Sequence, residues 1–502
     1  MTPILETAAA TTHSAEQVAR TNIVGLDQIL TGGFNRNRLY LVGGLPGSGK
    51  TTLAMQFLLA GRDEGESCLY VTLSETRDEL LAVARSHGWS LDGIDIVEVL
   101  PTQEQASAEQ HYTLFHPAEV ELGETAGLIL KEVERTKPTR VVFDSLSELR
   151  LLAGSPLHYR RQVLTLKQFF AGRSCTVVVL DDLANDYQVQ SLVHGVLELE
   201  QIAVEYGSQR RRLRVVKYRG VGYFGGYHDF TIRRGGLRVF PRLNALPSSR
   251  RTAVHALLPT GLPGLDEMIG GGILRGSSVL LVGPAGSGKS SIAAAVAVAA
   301  AERGERAALF IFDESEEVLF RRTAGLGIDV ERHVREGNIC VEYVSVAELS
   351  PGEFASRVAT VADRDGMTVV VIDSLSGYLN AMPNEKFLVI QLRELLTYLG
   401  RRGLATLLIA VQHGLIGANM KSPTDTSYLS DMVILLRFFE AFGVERQALS
   451  VMKMRGGYHA RTIHEFKMRP GSMEVGRPLT EFRGILTGVP EYIGTAEPLL
   501  EE

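Results

Sequence analysis

At 502 residues the chain is longer than one ordinary domain, and its 45% hydrophobic, 22% charged and 7% aromatic content is that of a globular protein. Such a composition builds full cores without disulfides or metals, and a formal net charge of -6 offers no global positive field to attract nucleic acid or an anionic membrane. Cys68, Cys175 and Cys340 lie far apart and form no CxxC pair, so buried, reduced thiols are expected instead of a metal site.

In chain order, the opening MTPILETAAATTHSAEQ lacks a charged segment followed by an apolar block, as a signal peptide would require. No uncharged apolar stretch is long enough to span a bilayer, so a cytoplasmic protein without membrane attachment is expected. Residues 1–20 read as a flexible arm. A first domain is expected over 21–240: RLYLVGG runs into a glycine turn, a helix pattern TTLAMQFLLAGRDEG follows, and then come SCLYVTL, TRVVFDSL and CTVVVLDD. Residues 241–256, containing PRLNALPSSRRTAV, are polar and proline-bearing and read as a linker. A second domain is expected over 257–490, with strands SSVLLVG, AALFIFDE, MTVVVIDSL and ATLLIAVQ and a buried helix at SIAAAVAVAAA. Residues 491–502 form a short acidic tail. Runs that are apolar on successive residues belong to central parallel strands buried on both faces, and alternation with helices makes the class α/β.

The two domains are one unit written twice. Gly25-Leu26-Asp27 recurs as Gly264-Leu265-Asp266, an offset of 239 (264 − 25) shared by Lys50 and Lys289 and by Glu75 and Glu314. The offset then slips to 229 between Asp144 and Asp373 and to 236 between Lys217 and Lys453, as loops of unequal length allow.

Each copy carries one phosphate-loop motif, GxxxxGK[ST]. The first is Gly44-Leu45-Pro46-Gly47-Ser48-Gly49-Lys50-Thr51, and the second is Gly283-Pro284-Ala285-Gly286-Ser287-Gly288-Lys289-Ser290. Its glycines let backbone N–H groups surround phosphate oxygens at a helix N-terminus. The lysine reaches the β- and γ-phosphates of ATP, the hydroxyl of Thr51 or Ser290 faces Mg²⁺, and Thr52 and Ser291 continue the phosphate-binding turn. Asp144 and Asp373 each end an apolar strand before Ser-Leu-Ser, where a carboxylate completes the Mg²⁺ shell. Glu75 and Glu314 follow another strand, where a carboxylate orients and deprotonates the nucleophile; Asp313 adjoins Glu314, whereas Ser74 adjoins Glu75. Late in each copy, Lys217 and Arg219, and Lys453 and Arg455, are candidates to cross a subunit boundary and touch a neighbour's γ-phosphate. Arg210, Arg211, Arg212 and Arg214 form a basic cluster whose readings are a charged hairpin or a nucleic-acid contact.

The duplicated order GLD, GxxxxGK[ST], [DS]E, DSLS and KxRG resembles that of the KaiC family of circadian clock proteins, from about Thr21 to the end of the second domain. The resemblance implies two tandem RecA-like P-loop NTPase domains, each a mostly parallel central sheet flanked by helices. It also implies a homohexameric double ring with ATP between subunits, ATPase activity in the first domain, and autokinase and autophosphatase activity in the second. The family's paired glutamates fall on Ser74-Glu75 and Asp313-Glu314, and its trans-acting cations on Lys217, Arg219, Lys453 and Arg455. Its adjacent Ser-Thr phosphorylation pair aligns, through Asp431, with Ser427-Tyr428; Thr424, Thr426 and Ser430 are close by. His87 and Leu326 stand where the family places aromatics near the base. Ser74, Asp313, Tyr428 and a short tail after Phe482 depart from the family pattern, which points to a signalling role outside a standard clock, with a protein partner. Two other readings stand beside this one: a RecA-type DNA-dependent ATPase or recombinase, disfavoured by the net charge, and an ATP-assembled scaffold with little turnover.

Overall fold

The computed structural model describes residues 17–99, 117–153, 155–182, 187–203, 207–243, 256–345, 348–380, 387–412, 427–487 and 490–494. Two compact units divide the chain, Met1–Leu246 and Pro247–Glu502. Each contains a nine-stranded sheet, and the two sheets have the same strand order.

In the first unit six parallel strands run, from one edge inward, Ile94–Glu98, Cys68–Thr72, Arg140–Asp144, Thr176–Asp181, Leu39–Gly43 and Gly195–Ile202. Three antiparallel strands, Arg210–Tyr218, Tyr227–Arg233 and Gly236–Phe240, extend the sheet at the far edge. The second unit repeats this with Ile339–Tyr343, Arg306–Ile311, Met367–Asp373, Ala405–Val411, Ser278–Gly283 and Met432–Ala441 in parallel. Val444–Met454, His464–Arg469 and Ser472–Pro478 then complete it antiparallel. The central strands are buried along their length, which is why their sequences are apolar without alternation.

The helix after each phosphate loop is 14 residues long, Lys50–Asp63 and Lys289–Glu302. The second buries every residue except Ser290 and Glu302, because its alanines let the backbone approach the sheet closely. The recurrent Gly-Leu-Asp has a structural purpose in both copies. Asp27 accepts from the Thr21 backbone (3.0 Å) and hydroxyl (2.7 Å), and Asp266 accepts from the Thr260 backbone (2.9 Å), so each carboxylate closes its entry loop. The glycine is required by packing: a Cβ on Gly25 would meet the Val239 carbonyl oxygen at 2.1 Å, and one on Gly264 the Val475 carbonyl oxygen at 2.7 Å.

Residues 17–20, read from the sequence as part of an arm, belong to the fold. Val18–Ala19 pairs with Phe34–Asn35, and a two-residue strand is too short to leave a periodic signal. Residues 1–16, 244–255 and 495–502, which include most of the arm, the linker and the acidic tail, lie outside the described residues. Cys68 and Cys175 are buried, Cys340 is half-buried, and all three are free thiols. Among the described residues no helix is long and apolar enough to cross a membrane.

One buried network ties the first unit together. Arg140 is fully buried and donates to Glu66 (2.7 Å), Glu64 (2.9 Å), and the carbonyl oxygens of Phe57 (2.9 Å) and Arg20 (2.6 Å). Burial alone would raise the Glu66 carboxyl, but hydrogen bonds from Arg140 and Arg36 outweigh it and hold its pKa down at about 2. Removing one member of a buried pair strands the other, so Arg140→Met is expected to destabilise the first unit by about 3–5 kcal/mol. Calorimetry of the full chain would show this as a lowered first-unit transition. Since the folded pKa of Glu66 lies below its unfolded value, its stabilisation is complete above about pH 4.5 and disappears as pH falls towards 2. The stability gap between the native chain and Glu66→Gln should therefore close over that range.

Candidate functional site

The two phosphate loops share one conformation. Gly47 and Gly49 have φ of 78° and 104°, and Gly286 and Gly288 have 78° and 90°, the left-handed region that admits glycine readily. A Cβ at Gly44 would stand 2.4 Å from the Leu199 carbonyl oxygen, and one at Gly283 2.6 Å from that of Leu436. The loop thus lies against the neighbouring strand with no room for a side chain. Behind it Ser48 is buried and its hydroxyl has no protein partner, while Ser287 is buried beside Lys289 (3.4 Å). Thr52 and Ser291 are buried in the first helical turn. A glycine-walled cradle with an unsatisfied hydroxyl at a helix N-terminus fits the phosphates of ATP.

Both lysines are turned into their own loops. Lys50 donates to the carbonyl oxygens of Gly44 (2.6 Å) and Leu45 (3.2 Å) and pairs with Asp182 at 2.8 Å. Lys289 donates to the Pro284 carbonyl oxygen at 2.5 Å, and burial pushes its ammonium down to about 8 despite Asp373 nearby.

The residues read as metal ligands also meet. Thr51 donates to Asp144 at 3.1 Å, and Tyr70 donates to the same oxygen at 2.6 Å. Ser290 hydrogen-bonds Asp373 in the second unit. Burial raises both aspartates, Asp373 to about 6, with the charges of Glu314 and Asp313 adding to the effect. A hydroxyl beside a carboxylate is a hard-oxygen pair of the kind Mg²⁺ takes when it also binds phosphate.

The carboxylates differ between copies. Thr72 fixes the turn of Glu75, accepting from its N–H (3.0 Å) and donating to its carbonyl oxygen (2.7 Å). Glu75 Oε2 is buried without a protein partner, and burial raises the acid, helped by the charges of Asp144 and Glu79. In the second unit Asp313 accepts from Ser374 at 2.6 Å, and Glu314 is held by Arg322 through two hydrogen bonds, at 2.6 and 3.2 Å. Ser74, in the place of Asp313, is exposed.

Lys217 donates to the carbonyl oxygens of Gln190 and Val193 (2.8 Å), and burial lowers its pKa, with the charges of Arg219 and Lys167 adding to the effect. Lys453 likewise donates to the Ser430 carbonyl oxygen at 2.8 Å. Arg219 and Arg455 are exposed, and Arg455 lies 3.7 Å from Asp431. Ser427–Leu429 is one turn of 3₁₀ helix with Tyr428 half-exposed, whereas Thr424 and Thr426 lie outside the described residues. His87 contacts the Arg233 carbonyl oxygen (3.1 Å) and Trp89, and Leu326 lines a cleft of about 560 Å³ beside the second phosphate loop. Two cations of the basic cluster are neutralised within the sheet: Arg212 pairs with Glu200 (2.8 Å) and Arg214 with Glu198 (2.5 Å), each guanidinium lying over Tyr227.

A family model described as "ATPase: KaiC" matches residues 19–244 and again 258–480. The chain belongs to the KaiC ATPase family. It is 27% identical over 490 residues to the circadian clock protein KaiC3 of Synechocystis sp., covering 95% of each chain. It is also 27% identical to the circadian clock oscillator protein KaiC of Synechococcus elongatus (97% and 94% covered) and 28% identical to that of Parathermosynechococcus lividus (95% and 89%). Membership of this family and the two phosphate loops make the chain a KaiC-like ATP-binding protein.

Two residues of the KaiC-like sites escaped the sequence reading. Asp182 closes the strand run CTVVVLDD, where the consecutive acids Asp181-Asp182 are the available signal. Arg322 sits in a helix without a motif, and only its absence from the first copy, where Val83 occupies the same place at the 239 offset, distinguishes it.

Each lysine serves its own loop, so Lys289→Ala should remove one of two nucleotides bound per chain and leave the other. Losing a charged hydrogen bond costs about 1.5–3 kcal/mol, roughly tenfold to a hundredfold in affinity. Titration with a fluorescent ATP analogue would read the stoichiometry, and Lys50→Ala should remove the complementary site.

Proposed function

We propose that this KaiC-family protein hydrolyses ATP in its first domain, phosphorylates itself in its second, and works as a regulatory homohexamer with nucleotide between subunits. The observation that carries the kinase reading is the union of acceptor turn and trans-acting cations. Lys453 donates to the Ser430 carbonyl oxygen (2.8 Å), the Arg455 N–H donates to that of Asp431 (2.8 Å), and the Arg455 guanidinium lies 3.7 Å from the Asp431 carboxylate. A neighbour's γ-phosphate that meets these cations therefore also meets the turn bearing Ser427 and Tyr428.

In this reading the phosphate loops, with Lys50 and Lys289, bind and orient the β- and γ-phosphates of ATP. Mg²⁺, when bound, neutralises charge developing on those oxygens, and Thr51 with Asp144, or Ser290 with Asp373, would hold it. Glu75 orients water and takes its proton in the first domain. Glu314 does the same for the acceptor hydroxyl in the second, and a carboxylate in that role is worth about 10²–10⁴ in rate. Arg219 and Arg455 stabilise the transferred group across the subunit boundary.

Incubation with Mg-ATP, followed by mass-spectrometric mapping of phosphosites and assay of free phosphate, tests the proposal. Phosphate on Ser427 or Tyr428 that disappears in Glu314→Gln is the expected result. Free phosphate with no modified residue would leave a ring ATPase without autokinase activity.

A further inference from the structure

In the second domain the proposed base does not stand alone. Arg322 grips both oxygens of Glu314 (Nη2 to Oε1 2.6 Å, Nε to Oε2 3.2 Å), and its remaining Nη1 donates to Ser291 Oγ at 3.0 Å. Ser291 is buried in the first turn of the helix that begins at Lys289, next to Ser290. One planar guanidinium therefore joins the carboxylate after the strand Arg306–Ile311 to the phosphate-loop helix. Arg322 and Ser291 line the cleft of about 560 Å³ together with Gly286, Gly288 and Lys289.

The pair is well suited to positioning. The side chains of Arg322 and Glu314 are 28% and 18% exposed, so water competes little for either. A two-point contact fixes the plane and direction of the carboxylate, which a single contact cannot do. Among the described residues of the first domain no arginine holds Glu75: Val83 stands in the place of Arg322 at the same offset, and Glu75 keeps a buried oxygen without a protein partner.

We propose that Arg322 is a positioning residue for the second domain, aligning Glu314 with the phosphate loop through Ser291. This rests on the reading of Glu314 as the base. A carboxylate released from its clamp keeps its chemistry and loses its aim, and misplacement by about an ångström costs on the order of a hundredfold in rate. Arg322→Met and Arg322→Gln should therefore lower kcat for second-domain chemistry by tenfold to a hundredfold and leave KM for ATP within about twofold. Arg322→Lys should recover part of the loss.

The test uses the full chain carrying Lys50→Ala, which silences the first site, and measures phosphate release and autophosphorylation against ATP concentration. Glu314→Gln and the double variant Glu314→Gln/Arg322→Met complete a cycle. If Arg322 acts through Glu314, the double variant is no slower than Glu314→Gln alone. A raised KM with unchanged kcat would make Arg322 a nucleotide ligand and overturn the proposal, as would an additive double variant. Loss in Glu314→Gln with full activity in both Arg322 variants would overturn it while the base reading survives. Full activity in Glu314→Gln would sink the base reading and the proposal together. An unchanged melting temperature in Arg322→Gln separates positioning from a fold defect.

Discussion

An ammonium group buried inside a loop of glycines governs the rest of each domain. Lys50 and Lys289 are under a tenth exposed, and a charge taken from water needs oxygen partners held in fixed positions. The loop supplies its own carbonyl oxygens, which requires left-handed turns at Gly47, Gly49, Gly286 and Gly288. Those turns in turn need a rigid strand before them and a helix after them. The parallel sheet fixes the strand on both sides, Leu39–Gly43 between Gly195–Ile202 and Thr176–Asp181, and Ser278–Gly283 between Met432–Ala441 and Ala405–Val411. The strand tips that carry Asp144 and Asp373 lie one strand further out, within reach of Thr51 and Ser290.

The two copies solve the charge problem differently. Lys50 has the Asp182 carboxylate 2.8 Å away, whereas the position equivalent to Asp182, judged from the strand register, is Gln412 in the second domain. Among the described residues Lys289 therefore has only neutral oxygens within bonding distance, and burial lowers its pKa to about 8. Divergence continues around the rim: Ser74 faces Asp313 in the alignment, Val83 faces Arg322, and Thr52 faces Ser291. The first site is thus the more acidic around its lysine, and the second ties its acids to neighbouring groups.

The fold was legible because its signals are local. Strand-length apolar runs, a glycine loop of fixed spacing and a constant offset each need only a short stretch of chain to be recognised. Thr51 and Asp144 could be matched by the chemistry of Mg²⁺ alone, although 93 residues separate them. Contacts without such a template stayed hidden. Arg140 reads as a strand residue, and nothing in TRVVFDSL announces Glu66 as its partner 74 residues away. Arg322 follows another arginine on an amphipathic helix, where solvated cations are ordinary. The cluster Arg210–Arg214 invited a nucleic-acid reading for the opposite reason, since the acids that pair with Arg212 and Arg214, Glu200 and Glu198, lie on the adjacent strand.

A last pairing shows why single positions in the two copies should not be compared in isolation. Leu73 donates to the Asp144 carbonyl oxygen and Phe312 to that of Asp373, each at 2.7 Å, so the turns beyond these strands superimpose in register. In the second domain Gly377, four residues after Asp373, has no side chain, and a Cβ there would stand 3.0 and 3.1 Å from the Asp313 carboxylate oxygens. Asp313 and a large residue at 377 compete for the same space. The equivalent positions of the first domain are Ser74 and Glu148: the partner of Gly377 is a glutamate where the partner of Asp313 has lost its acid.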